Sequence, residues 1–438
     1  MSTLGSQSAE KRLQTGGEGP LRVLVASKFW YHRGGLERVM FDEIAGLESA
    51  GHVVAGFSTA HPDNDPSPWS GYFAPYLELG RDSPLSRSDR MRAVARMFSN
   101  RPAAAAFDRL LADFRPDIVH VHGIHRQLSP SILFAAKRLG IPVVQTLHDY
   151  HHVCPADVLL RGGMVPCNPP LCGPLNTMPC VANRCVRGSL AASAVSSIET
   201  SWQRVRRSYE RTVDRFISPS HFLSAIMRGA GWTVPIDVVP NAVATDGGGE
   251  RDDRGFFLVA SRLSPEKGIH VAAQAAMAAG VPLVVLGDGP ERERLHAEFP
   301  ALDLRGYVPA HEVERQLLRC RAAVVPTTCL ENASISILEA LCLGVPVISS
   351  SVGGVPEQVR DGCEGLLVPP GDVDALAFAM RQLADDPALA EHMGRNARQR
   401  AHEAFGFDRH MQDLVGVYER ALGREEAHEG GAEGGDDL

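Results

Sequence analysis

Short runs of consecutive apolar residues, each followed by a segment of helical spacing, recur along this chain in two separate sets. Residues 21–27, 52–58, 117–122 and 143–147 form the first set. Residues 256–260, 283–286, 322–326 and 345–349 form the second. A strand that is apolar on both sides must be covered on both faces, and strand–helix alternation supplies the covering helices. Each set therefore predicts an α/β domain built on a parallel sheet. A chain of 438 residues is also too long for a single core. The Gly- and Asp-rich stretch 241–254 reads as the linker, giving domains over 21–241 and 242–407. The polar, Gly-rich residues 1–20 and the acidic residues 424–438 read as disordered tails. Two open parallel sheets in tandem leave a cleft at the C-terminal ends of their strands, where such sheets bind ligands. Farther along the first half, Leu190, Val195, Ile198, Trp202, Val205, Tyr209, Val213 and Phe216 recur at steps of one helical face. They predict one long helix with its apolar side in the core.

The chemistry concentrates in loops that follow these strands. In Glu331-Asn332-Ala333-Ser334-Ile335-Ser336-Ile337-Leu338-Glu339, the apolar text and the stop at Gly344 predict a helix beginning near Ser334. Glu331 then precedes the helix and Glu339 lies about two turns in. The free N–H groups of the first turn form an anion site, although two surface glutamates on an ordinary helix would give the same spacing. Gly34-Gly35 follows the first strand and opens a helical pattern, where glycine allows either a turn or close approach of a ligand. Arg262 and Lys267 emerge after strand 256–260, as phosphate-binding cations or as solvated loop charges. Gly287-Asp288-Gly289-Pro290 and Gly353-Gly354 add glycine-rich loops to the same rim. His148-Asp149 ends strand 143–147 and points His148 at the cleft, whereas His120 and His122 alternate within a strand and read as structural. Asp372 and Asp374 start a helix and read as caps in preference to metal ligands.

Composition excludes several classes. The formal net charge of -8 lacks the basic footprint of a nucleic-acid binder. Residues 1–20 hold no apolar run, so no secretory signal is expected. The most apolar long stretch, 269–286, is interrupted by His270, Gln274 and the Gly280–Pro282 turn and does not read as a membrane span. A cytoplasmic protein is the expectation.

Taken in order, Gly34-Gly35-Leu36-Glu37, His148-Asp149, Ser218-Pro219-Ser220, Pro240-Asn241, Arg262 with Lys267-Gly268, Gly287-Asp288-Gly289, Gly306-Tyr307-Val308, the Glu331/Glu339 pair and Gly353-Gly354-Val355-Pro356-Glu357 resemble the family 4 retaining glycosyltransferases. The resemblance runs from about Arg22 to Val417. It implies the GT-B fold, two facing Rossmann-like domains with an interdomain cleft, and a helix over 408–423 that crosses back to the first domain. It also implies transfer of a sugar from a nucleoside diphosphate sugar, UDP- or GDP-linked first, to a glycan, glycolipid or lipid-linked acceptor, with no metal required. On that resemblance His148, Arg262, Lys267 and Glu331 carry catalysis. The donor would meet Gly34, Gly35, Gly287, Asp288, Gly306, Tyr307, Val308, Asn332, Ala333, Ser334, Ile335, Ser336 and Glu339. Asn-Ala-Ser after Glu331 departs from common family texts and leaves the donor sugar open, and Ala242 after Asn241 stands where many members have glycine. Two other readings share the architecture: a nucleotide-sugar 2-epimerase and a non-catalytic, nucleotide-sugar-binding subunit.

Five of the nine cysteines crowd between Cys154 and Cys185. Structural zinc on Cys167, Cys172, Cys180 and Cys185 is the first expectation, against disulfides or reduced thiols. Such a Cys-rich insertion is similar to that of a bacterial subset of the family. The following helical text carries Arg204, Arg206, Arg207, Arg211 and Arg215. They read either as a solvated face or as a peripheral contact with the inner face of an anionic membrane.

Overall fold

The computed structural model describes residues 19–76, 86–163, 165–173, 175–244, 249 and 251–424. The expected tails lie outside this set except for Gly19, Pro20 and Arg424, as does part of the 241–254 linker. The first half holds the strands β1 (Arg22–Ala26), β2 (Val53–Phe57), β3 (Ile118–Val121) and β4 (Val143–Thr146). A short antiparallel pair follows, β5 (Leu160–Arg161) and β6 (Val165–Pro166), and then β7 (Arg215–Ser218) and β8 (Ile236–Val238). The second half holds β9 (Phe257–Ala260), β10 (Leu283–Leu286), β11 (Asp303–Gly306), β12 (Ala322–Val325), β13 (Val347–Ser350) and β14 (Gly365–Val368).

Both large sheets are parallel throughout. Their orders are β2-β1-β3-β4-β7-β8 and β11-β10-β9-β12-β13-β14. The order reverses between β1 and β3 in one sheet and between β9 and β12 in the other. Those reversals are where loops splay apart and ligands enter. The central strands β9, β10 and β12 are wholly apolar because helices cover both faces, whereas β3 carries His120 and β4 carries Gln145 and Thr146. In the first half Leu24, Phe57, Phe107 and Leu110 pack on one side, and Val23, Val25, Met40 and Val144 on the other. The Phe407–Ala421 helix inserts Met411, Leu414, Val417 and Tyr418 into that second cluster, so the C-terminal end of the described chain packs against the first domain.

All eight expected strands form. Besides the short β5–β6 pair, four further strands that the sequence reading did not include complete the two large sheets. β11 is a polar edge strand, β8 is three half-buried residues, and β14 is a short edge strand. The fourth, β7, lies where one long helix was expected. That helix covers only Leu190–Val205. Arg207 takes φ 50, the chain turns, and Tyr209, Val213 and Phe216 reach the core from a turn and a strand. Their spacing imitated one helical face. The helix itself is also inverted relative to expectation: Leu190, Ile198, Trp202 and Val205 are exposed.

Candidate active site

The helix Ile335–Cys342 begins where the sequence placed it, with Ser334 as N-cap in extended conformation. Gln358 fixes that start by accepting from the Ser334 N–H (2.8 Å) and donating to the Ser334 carbonyl (3.0 Å). The Ser336 hydroxyl donates to the Ala260 carbonyl at the end of β9 (3.1 Å), which ties the helix to the loop that carries Arg262. Just before the helix, Lys267 Nζ donates to Glu331 Oε1 at 2.5 Å. Burial disfavours the lysine charge, but the adjacent Glu331 carboxylate outweighs it and raises the lysine above its ordinary value. Lys267 therefore stays charged at neutral pH, and its ammonium has two further N–H donors for a ligand. Asn332 follows, its amide nitrogen and oxygen both buried without a partner.

Glycines set this geometry through loop-to-loop contact. At Gly353 (φ 58) an added Cβ would stand 2.1 Å from the Glu331 carbonyl, and the Gly354 N–H donates to that same carbonyl (2.8 Å). At Gly287 (φ 130) a Cβ would fall 1.9 Å from the Ser261 carbonyl. These glycines hold the Glu331 and Arg262 loops by close backbone packing, where the sequence suggested room for ligand. Arg262 is exposed, and among the described residues no carboxylate pairs with it.

From the other domain, the helix Gly35–Ser49 presents Gly35 to Ile335: a Cβ there would stand 3.0 Å from Ile335 Cγ1. Gly34 and Gly35 thus face the N-terminus of the Ile335–Cys342 helix across the cleft. His148 Nε2 lies 2.9 Å from His122 Nδ1 and the two rings stack. Burial lowers the His148 pKa to about 4, against an opposing pull from Glu43, so His148 is a neutral imidazole at pH 7. Two residues on, the Tyr150 hydroxyl donates to the Leu330 carbonyl (3.1 Å) and joins the His148 loop to the Glu331 loop. Glu357 makes a second bridge, accepting from the His221 and Phe222 N–H groups (2.8 and 2.7 Å) at the start of the His221–Gly229 helix.

Glu339 opens on a cavity of about 220 Å³ between the domains, lined also by Arg38, Ala244, His311, Glu314 and Leu343. Burial raises the Glu339 carboxyl, and Arg38 partly offsets it. Asp288 bonds the Gly289 N–H (2.7 Å) and Arg292 (3.1 Å); Tyr307 is 79% exposed. Gly287 donates its N–H to the Gly306 carbonyl (2.7 Å), so the Gly287–Asp288 and Gly306–Val308 loops form one rim. None of these rim residues lines the Glu339 cavity. The structure therefore brings Lys267, Glu331, Ile335, Ser336, Gly34 and Gly35 together, places Glu339 deeper, and leaves Asp288 and Tyr307 at an open edge.

Residues 33–246 match the family model described as Glycosyltransferase Family 4, and residues 245–400 match that described as Glycosyl transferases group 1. The chain belongs to glycosyltransferase family 4. The alpha-D-kanosaminyltransferase of Streptomyces kanamyceticus is 30% identical over 177 residues, 38% of this chain and 46% of that protein. The D-rhamnosyltransferase WbpZ of Pseudomonas aeruginosa is 36% identical over 157 residues, 34% of this chain and 41% of that protein. The aligned stretch thus spans less than half the length of these curated relatives. Among solved structures, sucrose-phosphate synthase from Thermosynechococcus elongatus superposes with a TM-score of 0.67 at 19% identity, over 92% of this chain and all of that one. Anabaena HepE in complex with UDP-glucose gives 0.59 at 17% identity, over 91% of this chain and all of that one. The neighbours are glycosyltransferases of GT-B fold, and the two facing parallel sheets here share it.

Around the site of this family 4 chain, Glu43, His410 and Tyr418 carried no sequence signal, whereas His120 and His122 read as structural. Glu43 accepts from His410 (3.1 Å), and His120 bonds both Thr146 (2.7 Å) and Tyr418 (2.8 Å). Together with His122 they form a buried chain from the Phe407–Ala421 helix to His148. Glu43, His120 and His122 are, among the described residues, the only trio of His, Cys, Asp or Glu with ligand atoms within 4.8 Å of one another. Asp372 caps the Val373–Asp385 helix by accepting from the Ala375 N–H (2.9 Å). In the insertion, Cys154, Cys167, Cys172, Cys180 and Cys185 line one void of about 20 Å³. No three of their sulfurs come within 4.8 Å of one another, whereas four thiolates on zinc stand closer than that. The expected zinc set is gathered but not closed.

Proposed function

We propose that this chain transfers a sugar from a nucleoside diphosphate sugar to a hydroxyl of a glycan or lipid-linked acceptor, with retention of the anomeric configuration. The observation that carries this reading is the convergence of Lys267, the loop of Arg262 and the Ile335–Cys342 N-terminus, which no side chain caps, at the switch point of the second sheet. Two cations and a set of free N–H groups there match the charge that builds on a departing nucleoside diphosphate. In the reaction the bond from the anomeric carbon to the phosphate oxygen breaks. The acceptor oxygen forms its bond on the same face, and its proton passes to the departing phosphate oxygen. Glu331 and Asn332 hold donor-sugar hydroxyls, and the two orphaned Asn332 amide atoms are suited to that task. Neutral His148 lies on the opposite wall. Glu339 takes the ribose hydroxyls from the depth of its cavity, and Gly34-Gly35 closes over the phosphates from the facing domain. UDP is the first nucleotide to examine, since HepE, a structural neighbour, was solved with it. Names such as D-rhamnosyltransferase and O-antigen chain mannosyltransferase among the relatives favour an envelope-glycan acceptor.

The test needs no acceptor. Thermal stability is measured against UDP-, GDP-, ADP- and dTDP-sugars for wild type and Glu339→Ala. One nucleotide class stabilising the wild type and much less the variant supports the reading. No shift with any donor at millimolar concentration would overturn the donor site.

A further inference from the structure

The Leu190–Val205 helix is built the wrong way round for a helix on a protein surface. Its buried side is polar: Ser193, Ser196, Ser197, Glu199 and Gln203. Its outward side is apolar: Leu190 is 55% exposed, Ile198 60%, Trp202 46% and Val205 66%. On a helical wheel these four fall within one arc with Ala191, Ala194 and Val195, and no charged residue interrupts them.

The polar interior has a clear purpose. Glu199 lies 3.8 Å from His151, which bonds Asp157 (2.9 Å), so the helix buttresses the loop that follows His148. Gln203 donates to the Phe98 carbonyl (3.2 Å), and Ser197 and Thr177 each donate to the other's carbonyl (both 3.4 Å), which ties down the cysteine-rich insertion. Among the described residues nothing comparable accounts for the apolar exterior: Phe98 meets the Trp202 ring edge-on at 6.4 Å, yet Trp202 stays 46% exposed. Leaving so large an apolar arc in water is costly, and contiguous exposed patches of this kind mark interaction surfaces.

We propose that this face lies on the surface of an anionic lipid bilayer. Charge decides the occupant. Between Val158 and Tyr209 the sole acidic side chain is buried Glu199, against the exposed Arg161, Arg184, Arg187, Arg206 and Arg207, while Arg204 is turned inward and paired with Glu210 (3.0 Å). The whole chain carries a net charge of -8, so this region is a local reversal of sign. Arginines bracket the apolar arc at both ends, and Arg206 lies over the exposed Trp202 ring at 5.4 Å. An apolar stripe with an interfacial tryptophan and flanking arginines fits an acyl boundary beneath anionic headgroups. A second copy of the chain fits less well. Two such helices packed face to face bring arginine-rich ends against arginine-rich ends in either direction. The helix also rests on the loop that follows His148, so docking there holds that wall of the cleft close to the membrane. This inference rests on surface residues and is independent of the donor-site reading.

The test is flotation of the full chain with vesicles of equal phosphatidylglycerol and phosphatidylcholine, beside vesicles of phosphatidylcholine alone. Ile198→Ser/Trp202→Ser and Arg206→Glu/Arg207→Glu are compared with wild type, and circular dichroism and melting confirm that both variants fold. Wild type is expected on the anionic vesicles at low salt, with the apparent dissociation constant rising about tenfold or more in each double variant. Binding unchanged in Ile198→Ser/Trp202→Ser would overturn the proposal. So would absence of wild-type binding, or a wild-type dimer that this variant converts to monomer, which would assign the face to self-association.

Discussion

Lys267 and Glu331 meet at 2.5 Å although they belong to loops after different strands, β9 and β12, on the two sides of the sheet's switch point. The pair places a cation and a carboxylate side by side where the proposed reaction separates charge. Glu331→Ala leaves Lys267 half-buried without its partner. The expected loss of transfer is about a hundredfold or more, as for removal of one preorganised electrostatic group. The stability cost should be on the order of 1 kcal/mol, because Lys267 still reaches solvent. Steady-state kinetics and urea unfolding of the same preparation separate the two effects. An active Glu331→Ala enzyme would remove this residue from the machinery.

Glu339 is set apart from that pair, in the cavity it shares with Arg38. A donor at about a hundred times its dissociation constant should stabilise the wild type by roughly 2.7 kcal/mol. Glu339→Ala should lose most of that gain, while the free protein melts nearly as before. Burial raises the Glu339 carboxyl, so donor affinity should weaken on acidification sooner than an ordinary glutamate would dictate. Calorimetric titration with nucleotide across mildly acidic pH reads this directly.

Tyr150 reaches across the cleft to the Leu330 carbonyl. Tyr150→Phe keeps the ring and removes one hydrogen bond, which should cost about 1 kcal/mol. Because the lost bond joins the two domains, the change should appear as greater protease sensitivity of the interdomain segment and a lower kcat. Unaltered proteolysis and turnover would show that the bridge does not govern closure.

The cysteine void invites a metal measurement. Burial raises Cys154 to about 11 and Cys180 to about 12, so both are protonated thiols at neutral pH. Without a closed sulfur set, purified protein is expected to carry less than about half an equivalent of zinc. A full equivalent, surviving dialysis and released by thiol modification, would mean that the four sulfurs close around metal.

The sheets were legible because apolar runs of four or five residues have few homes except a doubly covered parallel sheet. The Glu331/Glu339 spacing was legible for a similar reason, since one helix start fixes both positions. Edge strands such as β11 were not, because an edge needs little burial and leaves a polar text. The Leu190–Val205 helix failed in a more instructive way. Periodicity reports that a helix has two unlike faces, not which of them is inside, and Glu199 and Ser197 are held inward by partners distant in sequence. The glycines at 287 and 353 misled likewise: the text shows where a side chain is forbidden, not that Ser261 and Glu331 backbone fills the space. Tyr150, Glu43 and His410 were silent because their roles arise only when separate elements meet.

The histidine chain makes stability depend on pH in a defined direction. Burial lowers His120 and His148 to about 4, each partly offset by Glu43, and holds His122 well below its ordinary value. In the unfolded chain all three titrate near 6.5. Between pH 6.5 and 4 the unfolded state therefore binds protons that the folded state refuses, and folding stability is lost as pH falls through that window. The Glu43–His410 pair acts differently. Burial opposes both charges, yet each partner outweighs it, so Glu43 is lowered and His410 raised. The Glu43 contribution is present above its unfolded value near 4.5 and lost as pH falls through its lowered folded value. The His410 contribution is complete below 6.5 and lost as pH rises through its raised folded value. Urea unfolding from pH 8 to 4.5 should show a maximum near neutrality with a decline on each side. Glu43→Gln should cost on the order of 3 kcal/mol near pH 6.5, as for a broken buried pair, and should flatten the alkaline limb. A variant that keeps that limb would show that His410 draws its charge stabilisation from elsewhere.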